Sequence, residues 1–160
     1  LDLEWSTIAD PNQERFDNAD VIFSNQYQMW THTINDGDLA EIYNAMDVLL
    51  MPSQAEGFGL PLIEAQACAV PVAATNCTGM GDLVFGGYKI EPLQERWDEL
   101  GAWRYVAPIQ GILDAIEWAH DMTHGEQALA YLQERARGGA SDYSWDHSIE
   151  RLLPILEELE

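Results

Sequence analysis

The residues best placed to do chemistry lie between Pro52 and Glu64, in the stretch PSQAEGFGLPLIE. Gly57-Phe58-Gly59 make a flexible turn, and Leu60-Pro61 open an amphipathic segment that reaches about Cys68. Pro61 suits the first turn of a helix, where its missing N–H would have had no intrahelical partner. The free N–H groups and positive dipole end of such a helix favour a phosphate or another anion. Two glycines let a ligand approach the backbone. Glu56 stands before the helix and Glu64 about one turn inside it, so both carboxylates can border one crevice. The pattern alone leaves a second reading open, in which this is an ordinary strand-loop-helix connection and the glycines only shape the turn.

Alternating elements must hold that stretch in place. Leu1 to Thr7 (LDLEWST) alternates apolar and polar residues as a strand does. Asp10-Pro11 reads as a helix start, the helix running to about Asn18, and Asp20 to Ser24 (DVIFS) as a second strand. Thr33 to Asp38 is turn-rich, with Asp36 or Asp38 available to cap a helix over Leu39 to Met46. Asp47 to Met51 (DVLLM) is short and apolar, as befits a strand covered on both faces of a parallel sheet. After the helix from Leu60, Val70 to Thr75 gives another buried strand. A loop, NCTGMGD, follows, and then a short strand around Tyr88 to Ile90. The last third is helical: Ile109 to Met122, then Glu126 to Arg137 until Gly138-Gly139 break it. A final amphipathic segment runs from Ser144 to Leu159, bent by Pro154. The order argues for a single α/β domain over residues 1–160, a Rossmann-like doubly wound parallel sheet flanked by helices, with a helical part over about 109–160. Open sheets of this kind bind ligands beyond the carboxyl ends of their strands, and Pro52 to Glu64 lies just past such an end.

Composition narrows the function classes. With 47% hydrophobic and 10% aromatic residues, the chain is not disordered. No apolar run approaches a transmembrane length, and Leu1-Asp2-Leu3-Glu4 is not a signal peptide. The chain opens on Leu rather than Met, which suggests a piece of something longer. The net charge is -21, and Lys89 is the only lysine. Such a surface repels nucleic acid and anionic membranes, which removes both as expected partners. Cys68 and Cys77 form neither a disulfide framework nor a zinc pattern, which fits a reducing, cytoplasmic compartment and two partly buried thiols.

Other candidates carry less. His120 and His124 stand four apart on one helix, a metal-compatible spacing, but no third ligand is near and a solvated face is the better reading. His32 and His147 are isolated. No GxSxG elbow organises a triad. Trp97, Trp103 and Trp118 are read as packing rather than as an aromatic platform.

The run LAEIYNAMDVLLMPSQAEGFGLPLIEAQACAVPVAAT resembles the signature of family-four retaining glycosyltransferases of the GT-B fold. Those enzymes carry two glutamates eight apart, and Glu56 and Glu64 match. The surroundings match too: Tyr43-Asn44-Ala45-x-Asp47, a strand, Pro52-Ser53, then Glu56-Gly57-Phe58-Gly59-Leu60-Pro61. The closing SWDHSIERLLPILEE resembles the helix that ends the family's second domain. The likeness is highly specific from Leu39 to about Asp82 and loose before Asp20.

The resemblance implies a donor-binding half. Glu56, the catalytic candidate, would face the donor sugar and its hydroxyls. The backbone of Gly57, Phe58 and Gly59 would line the sugar pocket. Leu60 would offer its N–H to the diphosphate, and Glu64 would accept hydrogen bonds from the ribose hydroxyls. The implied reaction transfers a sugar from a nucleotide-diphosphate donor with retention of configuration, through an oxocarbenium-like transition state, with no metal and no cofactor. The implied partners are the nucleotide sugar and an absent N-terminal acceptor-binding domain, without which the chain alone is expected to be inactive. Homo-oligomerisation is left open.

Three departures stand beside the match. The chain supplies only one of two Rossmann-like halves. The family's phosphate-binding Arg and Lys have no convincing equivalents, since Arg15 is the only basic residue before Lys89. Ala69 also occupies a helix-terminal place where the family usually has Gly. If Leu1 to Thr7 corresponds to the second strand of the fold, a central slot is left for upstream sequence, another segment or another subunit. Two alternatives therefore remain: a non-catalytic α/β scaffold or interaction module, and a relative of nucleotide-sugar epimerases.

Overall fold

The computed structural model describes residues 34–99 and 101–158. The strands expected at Leu1 to Thr7 and Asp20 to Ser24, and the helix opening at Asp10-Pro11, lie outside the described residues. The chain divides into two compact units, Leu1–Glu41 and Ile42–Glu160.

Helix α1, Asp36–Asn44, starts on a reciprocal cap. Asn35 Oδ1 accepts from the N–H groups of Gly37 (2.8 Å) and Asp38 (3.1 Å), while Asp38 Oδ2 accepts from the Asn35 backbone (3.1 Å) and side-chain amide (2.8 Å). The cap is thus Asn35, with Asp38 closing the box, rather than Asp36 or Asp38 as the sequence suggested. Only Asn35 sits where its side chain reaches the second and third helical N–H groups.

Three parallel strands form the sheet in the order β1 (Leu49–Met51), β2 (Val72–Thr75), β3 (Gly87–Ile90). Leu50 pairs with Ala73, and Ala73 in turn with Tyr88. Alternation along the strands puts Leu50, Ala73, Tyr88 and Ile90 on one face. There they pack with Ile112 and Ala115 of α4 (Ile109–Thr123). Helices α2 (Leu60–Ala67) and α3 (Thr78–Leu83) pack on β2 from the other side, burying Leu62, Ala65, Met80 and Leu83. This is the expected α/β layering, a parallel sheet flanked by helices. All four β2 residues are buried, whereas β1 is only half-buried. The doubly covered strand is therefore β2, and among the described residues β1 is an edge.

Three local expectations change. The NCTGMGD segment contains α3 rather than loop alone: burial of Met80 and Leu83 outweighs the poor helix propensity of Gly79 and Gly81. Gly138-Gly139 do not end the next helix, α5, which runs Glu126–Ser141. A Cβ at Gly139 would overlap the Phe85 ring, so glycine here permits close packing in mid-helix. Residues 91–108 hold an unexpected antiparallel hairpin, β4 (Gln94–Trp97) with β5 (Trp103–Val106). The last helix, α6 (Trp145–Glu157), is capped by Ser144, whose Oγ accepts from the His147 N–H, and it continues through Pro154.

The C-terminus of α2 is a six-to-one, five-to-two turn: the Val70 N–H donates to Ala65 O and the Ala69 N–H to Gln66 O, both at 2.9 Å. This places Ala69 at φ 62, a left-handed conformation that a Cβ disfavours. Ala69→Gly should therefore stabilise the fold by about 0.5–1 kcal/mol, the relieved strain less the added unfolded-state entropy. The check is a rise in denaturant midpoint at unchanged slope.

Candidate active site

The turn after β1 lies at the carboxyl edge of the sheet, as the order of elements requires. Gly59 caps α2 in the left-handed conformation, at φ 100, and has no side chain to occupy the first-turn N–H groups. Pro61 falls within the first turn as expected, and the Leu62 N–H is taken by Gly59 O at 3.0 Å. The Leu60 N–H is thus the first-turn donor left without a side-chain cap. Leu60 itself is 60% exposed and Phe58 45%, so the turn is open to solvent.

Neighbouring segments fix the turn. The Glu56 N–H donates to Thr78 Oγ1 at 3.2 Å. A Cβ on Gly79 would stand 2.9 Å from Phe58 O and 3.2 Å from Gly57 O, so the start of α3 lies directly against the turn's carbonyls. Thr78 holds φ 48, a strained value for a β-branched residue. The Phe58 ring meets the Tyr143 ring edge-on, with centroids 5.8 Å apart. On the far side of the turn, Gln54 O accepts from the Tyr105 N–H of β5 at 2.8 Å.

Glu64 is half-buried on α2, and its Oε2 accepts from the Tyr43 hydroxyl at 2.8 Å. The bond orients the carboxylate and leaves Oε1 as a further acceptor. Burial, and then the Glu64 carboxylate, push the Tyr43 pKa well above the ordinary phenol value. The sign follows directly. The folded state keeps this proton after the unfolded chain has begun to lose it, so the contribution to stability is intact below about pH 10 and falls above it. Tyr43→Phe should remove this part of the alkaline loss of stability, as read from unfolding midpoints across the alkaline range.

All six residues singled out in the sequence, Glu56, Gly57, Phe58, Gly59, Leu60 and Glu64, therefore lie on one turn and the helix it starts. The sequence named Tyr43 only as part of the matching helix context, and it did not single out the other residues that hold them: Thr78, Gly79, Tyr105 and Tyr143. The glycine spacing of Thr78-Gly79-Met80-Gly81 was the available signal for a close backbone approach. Three cations among the described residues are placed elsewhere. Arg104 Nε donates to Asp98 Oδ2 at 2.6 Å, and Arg135 donates to Phe85 O and to the Tyr131 hydroxyl. Arg137, with Asn44, Asp47 and Gln133, lines a cavity of about 250 Å³ at the amino edge of the sheet, the end opposite the turn.

The remaining candidates resolve simply. His124 Nδ1 contacts His120 O at 2.6 Å, and no group of three metal-ligating side chains occurs among the described residues. Cys68 and Cys77 are free thiols, and burial raises the Cys77 pKa. Trp118 packs on Tyr88 with centroids 5.6 Å apart, as expected. Trp97 and Trp103 do not follow the packing expectation: they are 58% and 50% exposed. Among the described residues, no helix is long and apolar enough to cross a membrane.

Residues 14–89, which contain the whole turn, match the family model described as glycosyl transferases group 1. The chain is similar to the D-inositol 3-phosphate glycosyltransferase of Rhodococcus erythropolis, 35% identical over 115 residues, covering 72% of this chain and 23% of the relative. The protein of the same description from Gordonia bronchialis is 32% identical over 122 residues, 72% of this chain and 22% of that protein. The O-antigen chain mannosyltransferase B of Escherichia coli is 31% identical over 109 residues, 61% and 28% respectively. The match thus spans less than a third of each relative's length. The α/β layering, the turn with its two glutamates and these similarities agree: over residues 14–89 the chain matches the group 1 glycosyl transferases.

Proposed function

We propose that the chain is the donor-binding domain of a retaining glycosyltransferase, and that it binds a nucleotide-diphosphate sugar at the Glu56–Glu64 turn. The observation that carries this reading is the placement of two carboxylates on either side of an uncapped helix start at the carboxyl edge of a parallel sheet. A diphosphate is an anion that suits the Leu60 N–H and the helix dipole. Vicinal ribose hydroxyls suit the acceptor oxygen that Glu64 keeps after its bond with Tyr43. Glu56 would act at the sugar hydroxyls, and the backbone of Gly57, Phe58 and Gly59 would form the pocket wall. In the reaction the glycosidic C–O bond to the diphosphate breaks and a new bond to the acceptor oxygen forms on the same face. The sugar passes through an oxocarbenium-like state. Stabilising the departing diphosphate is then the main electrostatic task. With Arg104 and Arg135 engaged and Arg137 at the opposite edge, the helix N–H groups supply part of that field. The acceptor-binding half, a proposed partner, would supply the rest. The chemistry proposed uses neither metal nor cofactor.

The low basic content of the chain, 7 Lys and Arg against 28 Asp and Glu, favours one other reading, a non-catalytic module of the same fold. Titrating UDP, GDP and their sugar conjugates into the chain, by calorimetry, separates the two. Glu64→Ala should weaken nucleoside diphosphate and conjugate alike, by about tenfold or more, for a lost charge-assisted hydrogen bond. Glu56→Ala should remove only the increment contributed by the sugar. No binding by any of these nucleotides, with the acceptor half joined upstream as well as without it, would establish the non-catalytic reading.

A further inference from the structure

The β4–β5 hairpin leaves the sheet three residues after β3 ends at Ile90, and returns to be bonded through the Tyr105 N–H to Gln54 O. It therefore stands at the same edge as the Glu56–Glu64 turn. Its register is Trp97 opposite Trp103, Arg96 opposite Arg104 and Glu95 opposite Tyr105. Strand alternation consequently sorts the side chains: Glu95, Trp97, Trp103 and Tyr105 share one face, and Arg96 and Arg104 the other. Two arginines directly opposite would repel, and Asp98, at 2.6 Å from Arg104, offsets that. Asp98 also organises the turn, accepting from the Ala102 N–H through Oδ1 at 3.1 Å, while Gly101 takes φ 77. The Trp97 and Trp103 rings meet edge-to-face with centroids 5.2 Å apart, at an interplanar angle of 73°. The aromatic surface is thus prebuilt, half-exposed and tied to the candidate site by a backbone hydrogen bond.

We propose that this face is a hexopyranose subsite, and that it takes the neutral glycan that receives the transferred sugar. An indole face offers the apolar C–H side of a pyranose ring a flat partner, and the exposed Glu95 carboxylate beside it accepts from ring hydroxyls. The charge of the face sets the class of glycan: Glu95 in a chain of net charge -21 disfavours uronic acids and sulfated sugars. The role as acceptor subsite rests on the proposed function, whereas sugar binding to the hairpin does not and can be tested without nucleotide.

The test is a titration of the 160-residue chain, carrying ¹⁵N-labelled indoles, with methyl glucoside, methyl mannoside, their disaccharides and methyl glucuronide. Saturable shifts of the Trp97 and Trp103 indole N–H signals with neutral sugars, with Trp118 unmoved and the glucuronide inert, are the expected result. Trp103→Ala and the surface variant Glu95→Ala should each weaken that binding about three- to tenfold. Nucleoside diphosphate affinity should be unchanged in both. Flat titrations with every neutral sugar, or shifts that survive in both variants, would overturn the proposal and leave the face to be covered by protein.

Discussion

Gln66→Leu should lower the stability of this fold by about 3–5 kcal/mol, although Gln66 touches no ligand-binding group. The side chain is fully buried and makes four hydrogen bonds. Nε2 donates to Leu62 O at 2.8 Å and Leu83 O at 2.7 Å, and Oε1 accepts from the N–H groups of Phe85 at 2.9 Å and Gly86 at 3.1 Å. Leucine fills similar space but leaves one carbonyl and two N–H groups without partners in the interior, at about 1–3 kcal/mol each before relaxation. For a chain of this size the melting temperature should fall by roughly 10 °C or more. Gln66→Glu separates polarity from packing. Its carboxylate keeps the two acceptor bonds but faces two carbonyl oxygens with no proton, so the variant should be weak at neutral pH. It should recover as falling pH restores a donor, because the folded state then favours the protonated acid. A Gln66→Leu protein as stable as the parent would show that the network contributes nothing.

The second large effect is expected a few ångströms away. Gly86→Ala places a Cβ on the Leu132 carbonyl oxygen, with the Ala136 backbone nitrogen and Cβ both 2.9 Å away. The obstacle is helix backbone, which cannot swing aside as a side chain would, so α5 must retreat from the sheet. Overpacking of this kind costs about 3 kcal/mol, at the upper end of the usual range. The change should also expose α5 amides to hydrogen exchange. Since the Gly86 N–H donates to Gln66 Oε1, the double variant should lose less than the sum of the single losses. Equal additivity in a double-mutant cycle would show that the two contacts are independent.

These two positions also mark the limit of what was legible in the sequence. Glu56, Gly57, Gly59, Pro61 and Glu64 could be read from the chain because turn chemistry and helix starts are local. The parallel sheet was legible from the spacing of short apolar runs. Gln66 was not, because three of its four partners are 17 to 20 residues away in sequence and a glutamine on an amphipathic helix reads as surface. Gly139 reads as a helix break because propensity sees an absent side chain, whereas packing sees room for Phe85. Thr78-Gly79 looked like loop for the same reason. The hairpin was missed because Trp97 and Trp103 suggest burial by composition. Their exposure follows from where the chain leaves the sheet, which no local pattern encodes.

Strand β2, Val72–Thr75, is buried at every residue and built from small side chains. Helices on both faces can therefore sit close to it, and almost any enlargement there would force them apart. At the carboxyl edge, Glu56 and Tyr105 are tied to Thr78 Oγ1 and Gln54 O through their backbone N–H groups, bonds in which their own side chains take no part. Natural variation is thereby channelled. The base resists change while the rim can exchange side chains at little thermodynamic risk, without the scaffold having to be reinvented.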